Sequence, residues 1–184
     1  MTPANDNRTR QPARTVPTLF LLRHGKAEAR ERWERPDFER PLTKRGYEQS
    51  RVIAGHLVDL VGRKPSRVLS SPAVRCRETV TDLAAACGLE VVEAGWLSEG
   101  EDPLHAFDQL RKLVGRLDPP SGLGGPVAAC THGDIIWGVL ERIARLGVDL
   151  GPRPDVPKGG VWVIGTNARS VLTATLYRPD AVRA

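Results

Sequence analysis

The alternation of short apolar runs with amphipathic segments constrains the fold of this chain more than any other feature. Residues 18–22 form an apolar run of strand length, and Ile53, Leu57 and Leu60 then recur at the spacing of one helix face. Further strands are predicted at 66–70, 89–94 and 127–131, and apolar residues at helical spacing follow each of them. The sequence therefore predicts an α/β protein, a three-layer α/β/α sandwich with a mostly parallel central sheet.

The two ends of the chain depart from this pattern. Residues 161–166 and 171–177 have the composition of two strands joined by a tight turn, which predicts a C-terminal antiparallel hairpin. Residues 1–17 are poor in apolar side chains, and we predict a flexible N-terminal tail there. Because 184 residues suit one folding unit, we expect a single domain over residues 18–184.

The composition argues against several classes of protein. No stretch approaches the ~20 apolar residues of a membrane helix, and the N-terminus lacks the apolar run of a secretory signal. Cys76, Cys87 and Cys130 are odd in number and widely spaced, which argues against a disulfide framework or a zinc site. This cysteine usage indicates a reducing compartment, and we expect a cytoplasmic protein without a membrane partner.

The charge balance favours an anionic substrate over nucleic acid. The formal net charge is +5, and the tail contributes two of these charges because Arg8, Arg10 and Arg14 outnumber Asp6. A nucleic-acid-binding protein needs a clustered basic face, which the sequence does not show, so nucleic acid is not an expected partner. A mild positive balance suits an enzyme that attracts anionic substrates.

Charged and histidine side chains follow all four of the predicted parallel strands. Arg23 and His24 follow the first strand, Arg75 the second, Glu99 the third and His132 the fourth. In an open α/β sheet, ligands bind outside the carboxyl ends of the strands. Two histidines and two arginines from distant segments are therefore expected to converge on one edge of the sheet.

These residue types suit the transfer of a phosphoryl group. Arginine forks match phosphate oxygens in a bidentate way and stabilise the charge of the transition state. A neutral imidazole can attack phosphorus and hold the phosphoryl group covalently, and nearby guanidinium charges favour the neutral form by lowering its pKa. The second histidine could donate a hydrogen bond to the phosphoryl oxygens. A carboxylic acid is then needed to protonate the leaving oxygen.

Four motifs resemble signatures of the histidine phosphatase superfamily, which includes the phosphoglycerate-mutase-like enzymes. They are Leu22-Arg23-His24-Gly25, the helix start at 41–46, the serine- and arginine-containing segment at 70–79, and Thr131-His132-Gly133-Asp134. They occur in the family's order, and the resemblance covers residues 19 to about 140. Within the superfamily, the chain resembles short phosphohistidine phosphatases of the SixA type. It is still more similar to the phosphatase domain fused to some Nudix hydrolases, of which it would be a stand-alone version.

The resemblance implies roles for the residues at the strand ends. His24 is the implied nucleophile. Arg23, Arg75 and His132 would bind the transferred phosphoryl group, and His132 would also take part in catalysis.

The resemblance also implies an acid and a further cation. Glu99 occupies the position of the general acid, with Glu101 and Asp102 close by as alternatives. Lys158 is expected to approach the phosphate or the leaving group. Because the chemistry of the family needs neither a metal nor a cofactor, we expect none.

The function that this resemblance implies is phosphate hydrolysis. We expect a metal-independent phosphatase that hydrolyses a phosphomonoester or a protein phosphohistidine through a covalent phospho-His24 intermediate. The alternatives are a phosphoglycerate-mutase-like phosphoryl transferase and a catalytically inactive phosphate-binding module. The partner would be a phosphorylated small molecule, a nucleotide or a phosphoprotein. The charge-rich segment 28–40 is a candidate rim for substrate selection.

Overall fold

The computed structural model describes residues 16–61, 64–114, 126–166 and 172–179. The strands in these ranges are β1 (Val16–Arg23), β2 (Arg67–Ser70), β3 (Val91–Glu93), β4 (Val127–Thr131), β5 (Val161–Thr166) and β6 (Leu172–Tyr177). The helices in the same ranges are α1 (Lys44–Val61), α2 (Val74–Cys87), α3 (Pro103–Val114) and α4 (Gly133–Arg145).

The six strands form one sheet in the order β3-β2-β4-β1-β5-β6. Strands β3, β2, β4 and β1 are parallel to one another, whereas β5 runs antiparallel to both β1 and β6. The predicted mostly parallel sheet with a C-terminal antiparallel hairpin is therefore confirmed. The predicted turn at 167–170 lies outside the described residues.

Each face of the sheet is covered by a pair of helices. Along β1, Leu21 packs in a cluster with residues of α3 and α4, whereas Phe20 and Leu22 pack in a second cluster with residues of α1 and α2. Because successive side chains of a strand point to opposite faces, a strand buried on both faces has a continuous apolar run. This arrangement confirms the predicted three-layer sandwich.

The beginning of β1 differs from the prediction. The strand starts at Val16, two residues before the predicted start, because Val16 and Pro17 pair with Thr166 and Gly165 of β5. A partner strand this distant in sequence leaves no local signal in the residues themselves. The remainder of the predicted tail, residues 1–15, lies outside the described residues.

The sequence also predicts helix caps at Thr43 for α1 and Ser71 for α2, and helix ends at Gly62 and Gly88. Two of these predictions agree with the structure and one differs. Thr43 caps α1, since its Oγ1 accepts the Gly46 N–H at 3.2 Å, and α2 ends at Gly88 with a φ of 69°. The prediction that Ser71 caps α2 is wrong, because the helix begins at Val74 after Ala73. The Ser71 hydroxyl contacts His132 and accepts the N–H of Ala73, the residue before the helix, at 3.3 Å. The predicted end of α1 at Gly62 lies outside the described residues.

None of the helices in the described parts of the chain combines the length and the apolar character that crossing a bilayer requires.

Candidate active site

The carboxyl ends of β1, β4 and β2 lie side by side and bring the predicted site residues together. Arg23 is in register with Thr131, and the His24 N–H donates to the Thr131 carbonyl at 3.1 Å. On the other side of β4, the Ser71 N–H donates to the Cys130 carbonyl at 2.9 Å. The rings of His24 and His132 consequently meet edge to face, with centroids 5.3 Å apart.

The His24 imidazole is buried and oriented by its own backbone. Its Nδ1 lies 2.7 Å from the Gly25 carbonyl oxygen, which can only accept, so Nδ1 carries the proton and Nε2 carries the lone pair. Burial lowers the pKa of His24 to about 3. The nearby positive charges also lower this pKa, whereas the hydrogen bond to Gly25 raises it. Near neutral pH the ring is therefore an unprotonated nitrogen base, as nucleophilic attack requires.

A histidine titration should detect this shift. In ¹³C-labelled protein we expect no titration of the His24 ring between pH 8 and pH 5, because its pKa lies near 3. Since the unfolded chain binds this proton below about pH 6.5 and the folded chain does not, stability should fall as the pH drops from 6.5 towards 3. The same ring in urea-unfolded protein provides the control. An inflection near pH 6.5 in the folded protein would contradict the assignment.

His132 is held between a serine and an arginine. Its Nδ1 lies 3.4 Å from Arg75 Nη2, and its Nε2 lies 2.9 Å from Ser71 Oγ. A guanidinium group only donates, so Nδ1 accepts and the Nε2–H donates to Ser71. The sequence pattern predicts a helix cap at Ser71 rather than a site residue. The signal for a place in the site was its position at the end of a strand, next to other site residues.

Arg75 is fully buried and forms several charged contacts. Its Nη1 donates to the Asp37 carbonyl oxygen at 2.8 Å, and its Nη2 donates to Glu99 Oε2 at 2.8 Å. Nη2 also lies 3.0 Å from the Asp37 carboxylate. The Arg75 Nε–H has no hydrogen-bond partner among the described residues, although it is buried.

The Arg23 guanidinium resembles that of Arg75 in its hydrogen bonding. Its Nη1 donates to the Val156 carbonyl at 2.5 Å, but its buried Nε–H has no partner in the part of the chain that the structure describes. The group lies against Gly133, where an added Cβ would come within 3.2 Å of Arg23 Cζ and Nη2. Gly133 is thus needed for the close approach of the Arg23 side chain.

Glu99 is half-exposed and lies near His132. Its Oε2 accepts hydrogen bonds from Arg75 at 2.8 Å and Arg30 at 3.0 Å, and it lies 3.9 Å from His132 Nδ1. Asp134 positions the loop, because its carboxylate accepts the Gly100 N–H at 2.7 Å.

The two alternative acids occupy different surroundings from Glu99. Glu99 lines the cavities beside both histidines. Asp102, in contrast, is exposed and accepts the Leu104 N–H at the start of α3. Glu101 is exposed in the same loop.

Asp37 is a site residue that the sequence did not identify. Its carboxylate binds Arg30, Arg40 and Arg75. Burial raises the pKa of Asp37. The hydrogen bonds from Arg40 and Arg30 and the charge of Arg75 have a larger total effect, and they lower the pKa of Asp37 to about 2. The only available signal was its position in the charge-rich segment 28–40.

Lys158 lies in the loop that adjoins the end of β1. The Gly159 N–H is shared between the Arg23 and His24 carbonyls, each at 3.1 Å, and this fixes the loop next to β1. Lys158, Arg23 and His24 line a cavity of about 610 Å³. Partial burial lowers the pKa of Lys158, and the positive charges of Arg23 and Arg40 add to the effect. A second cavity of about 430 Å³ adjoins Arg75 and His132.

Within the described residues, no group of three or more histidine, cysteine or acidic side chains has an arrangement that could hold a metal ion.

A comparison with known sequences identifies related phosphatases. The family model for the histidine phosphatase superfamily (branch 1) matches residues 19–101. The 8-oxo-(d)GTP phosphatase of Mycolicibacterium smegmatis is 28% identical over 169 residues, which cover 88% of this chain and 48% of that protein. The chain therefore spans about half the length of this relative.

Solved structures share the fold over nearly the whole chain. The protein histidine phosphatase SixA complexed with tungstate superimposes with a TM-score of 0.70 at 19% identity, covering 90% of this chain and 99% of its own. A putative phosphohistidine phosphatase SixA from Agrobacterium tumefaciens has a TM-score of 0.65 at 24% identity, covering 89% and 99%. Residues 19–101 thus match the model of the histidine phosphatase superfamily, and the fold is similar to that of the SixA structures.

Proposed function

We propose that the protein is a metal-independent phosphatase that works through a phosphohistidine at His24. One observation carries this proposal: Arg23 and Arg75 each keep a buried Nε–H without a partner among the described residues, beside the paired histidines. An unsatisfied buried donor costs about 1–3 kcal/mol, which an anionic ligand would offset. Phosphate oxygens fit such arginine forks.

The first step transfers the phosphoryl group to His24. The lone pair of Nε2 attacks phosphorus, a P–N bond forms, and the bond from phosphorus to the leaving oxygen breaks. Arg23 and Arg75 bind the phosphoryl oxygens, with Lys158 close to the phosphate or the leaving group. His132 joins them in its other tautomer, in which Nδ1–H donates to a phosphoryl oxygen and Nε2 accepts the Ser71 hydroxyl. The guanidinium charges stabilise the transition state without reorganising.

Water then breaks the P–N bond and releases inorganic phosphate. Glu99 protonates the leaving oxygen in the first step and accepts a proton from the attacking water in the second. Access of water supports hydrolysis over transfer to a second hydroxyl. The side chains of Glu99 and Arg30, which lie beside both histidines, are 46% and 59% exposed. A mutase must instead exclude water from its intermediate.

Replacing Glu99 with glutamine tests its role as the acid. For an alkyl phosphate, whose leaving group needs a proton, we expect kcat/KM to fall by about 10²–10³-fold. For 4-nitrophenyl phosphate, whose leaving group departs as an anion, the decrease should be under about tenfold. If Glu101→Gln shows this dependence on the leaving group and Glu99→Gln does not, the assignment is wrong.

The substrates we propose are phosphorylated small molecules, nucleotides or phosphoproteins. The relatives support this range, since one is an 8-oxo-(d)GTP phosphatase and another a protein histidine phosphatase. We also propose a cytoplasmic location, which the free thiols of Cys76, Cys87 and Cys130 support.

Trapping the intermediate tests the proposed function. After mixing with ³²P-labelled substrate in excess chelator and quenching in alkali, we expect an acid-labile label on the peptide that contains His24. The same peptide from His24→Ala protein should stay unlabelled. Phosphate release without a labelled peptide would argue for direct attack by water, and release that stops in chelator would argue for a metal.

A further inference from the structure

The cavity beside His24 contains more positive charge than one phosphoryl group neutralises. Three of its lining residues are acidic, namely Glu28, Glu31 and Glu99, and six are basic. The basic residues are Arg23, Lys26, Arg30, Arg32, Arg40 and Lys158. A phosphate monoester carries at most about two negative charges near neutral pH, which leaves the wall with a surplus of positive charge.

This surplus is concentrated on cations without an acidic partner. The guanidinium groups of Arg30 and Arg40 bind Asp37. The side chains of Lys26, Arg32 and Lys158, in contrast, form no hydrogen bond or ion pair within the described ranges. Their positive charges are therefore available to a ligand.

The position of Lys26 is fixed although its ammonium group is free. Its N–H donates to Gln49 Oε1 at 2.9 Å, and its carbonyl accepts the Thr43 hydroxyl at 2.9 Å. These contacts hold the backbone of Lys26 two residues after the nucleophile. Lys26 lines the same cavity as His24, so its flexible side chain can reach a group attached to the reacting phosphate.

The size and lining of the cavity indicate which group this is. A volume of about 610 Å³ leaves ample room beyond one phosphate. The apolar lining residues are Ala27 and Ala29, and none of the described lining residues is Phe, Tyr or Trp. A substrate group in this space would be bound through charge rather than through ring stacking.

We propose that Lys26, Arg32 and Lys158 form a second anion subsite, and that the preferred substrate carries a diphosphate, as a nucleoside diphosphate does. The terminal phosphate would react at His24 while the next phosphate occupies the subsite. This inference rests on the proposed function for the placement of the reacting phosphate. A terminal diphosphate carries about three negative charges and thus matches the surplus better than a monoester does.

Calorimetry with non-hydrolysable ligands tests the subsite without turnover. The probes are methylphosphonate and methylenediphosphonate, titrated into the whole chain in excess chelator. We expect the diphosphonate to bind at least about tenfold more tightly. Lys26→Gln and Arg32→Gln should each reduce this preference about three- to tenfold, since each removes one charge from the subsite.

Arg35→Gln is the matched control, because it removes one positive charge from the same segment outside the cavity. Arg35 pairs with Glu39 and lies over the Trp33 ring, 5.8 Å from its centroid. The Arg35→Gln variant should leave the preference for the diphosphonate unchanged.

Equal binding of the two probes, or a preference that Arg35→Gln lowers as much as Lys26→Gln does, would overturn the proposal and favour a phosphoprotein substrate. A labelled His24 without diphosphonate preference would refute the subsite alone, whereas the preference without labelling would refute the proposed function alone.

Discussion

Replacing His24 with alanine is expected to reduce phosphate release by about 10⁴–10⁶-fold. The variant has no nitrogen to form the P–N bond, and among the described residues His132 is the only other histidine beside the cavities. Because His132 Nε2 lies against Ser71 and Nδ1 against Arg75, it is not free to replace His24. Release from 4-nitrophenyl phosphate in excess chelator measures the effect.

The loss should occur without unfolding. His24 lies at the end of β1 and belongs to neither of the two apolar clusters that pack the helices against the sheet. We therefore expect the free energy of unfolding to change by less than about 2 kcal/mol. Denaturant unfolding followed by circular dichroism checks this. His105→Ala, on the exposed side of α3, should retain full activity. Activity that survives in His24→Ala would refute the nucleophile assignment.

Replacing Arg75 with lysine should have the second largest effect. Lysine keeps the charge but loses the planar fork, whose Nε–H is the unpartnered buried donor beside the site. It also cannot contact Asp37, Glu99 and His132 with one rigid group. We expect kcat/KM to fall by about 10²–10³-fold, the usual loss for one preorganised donor to a transition state.

Arg77→Lys is the matched control for this substitution. Arg77 lies on the same helix two residues later, is exposed, and pairs with Glu93 at 2.8 Å. It should change kcat/KM by less than about twofold, because surface ion pairs contribute little. Equal losses in the two variants would mean that Arg75 acts through helix stability alone. A full-activity Arg75→Lys protein would remove Arg75 from phosphate binding.

Much of the fold could be predicted because its signals are local. The run at Phe20, Leu21 and Leu22 is apolar without interruption since β1 is buried on both faces, and such a run is visible in one sequence. The caps at Thr43 and Gly88 are equally local, because each depends on one residue and its immediate backbone. The start of β1 and the role of Ser71 depend on partners distant in the chain, and the sequence predicted both incorrectly.

The sequence also predicted which residues meet at one edge of the sheet. Arg23, His24, Arg75 and His132 each follow a strand within recognisable motifs, and parallel strands bring their carboxyl ends to one edge. Their roles are tested by the experiments above.

The tertiary structure alone decided how these side chains are charged and paired. Asp37 binds three guanidinium groups, and Glu99 connects Arg30 with Arg75, across separations of up to 69 residues. Burial makes His24 a neutral base, and two arginine donors remain without a partner among the described residues. Hydrogen bonds and desolvation depend on distances between atoms, and only the packing of α2, β4 and the segment 28–40 sets those distances.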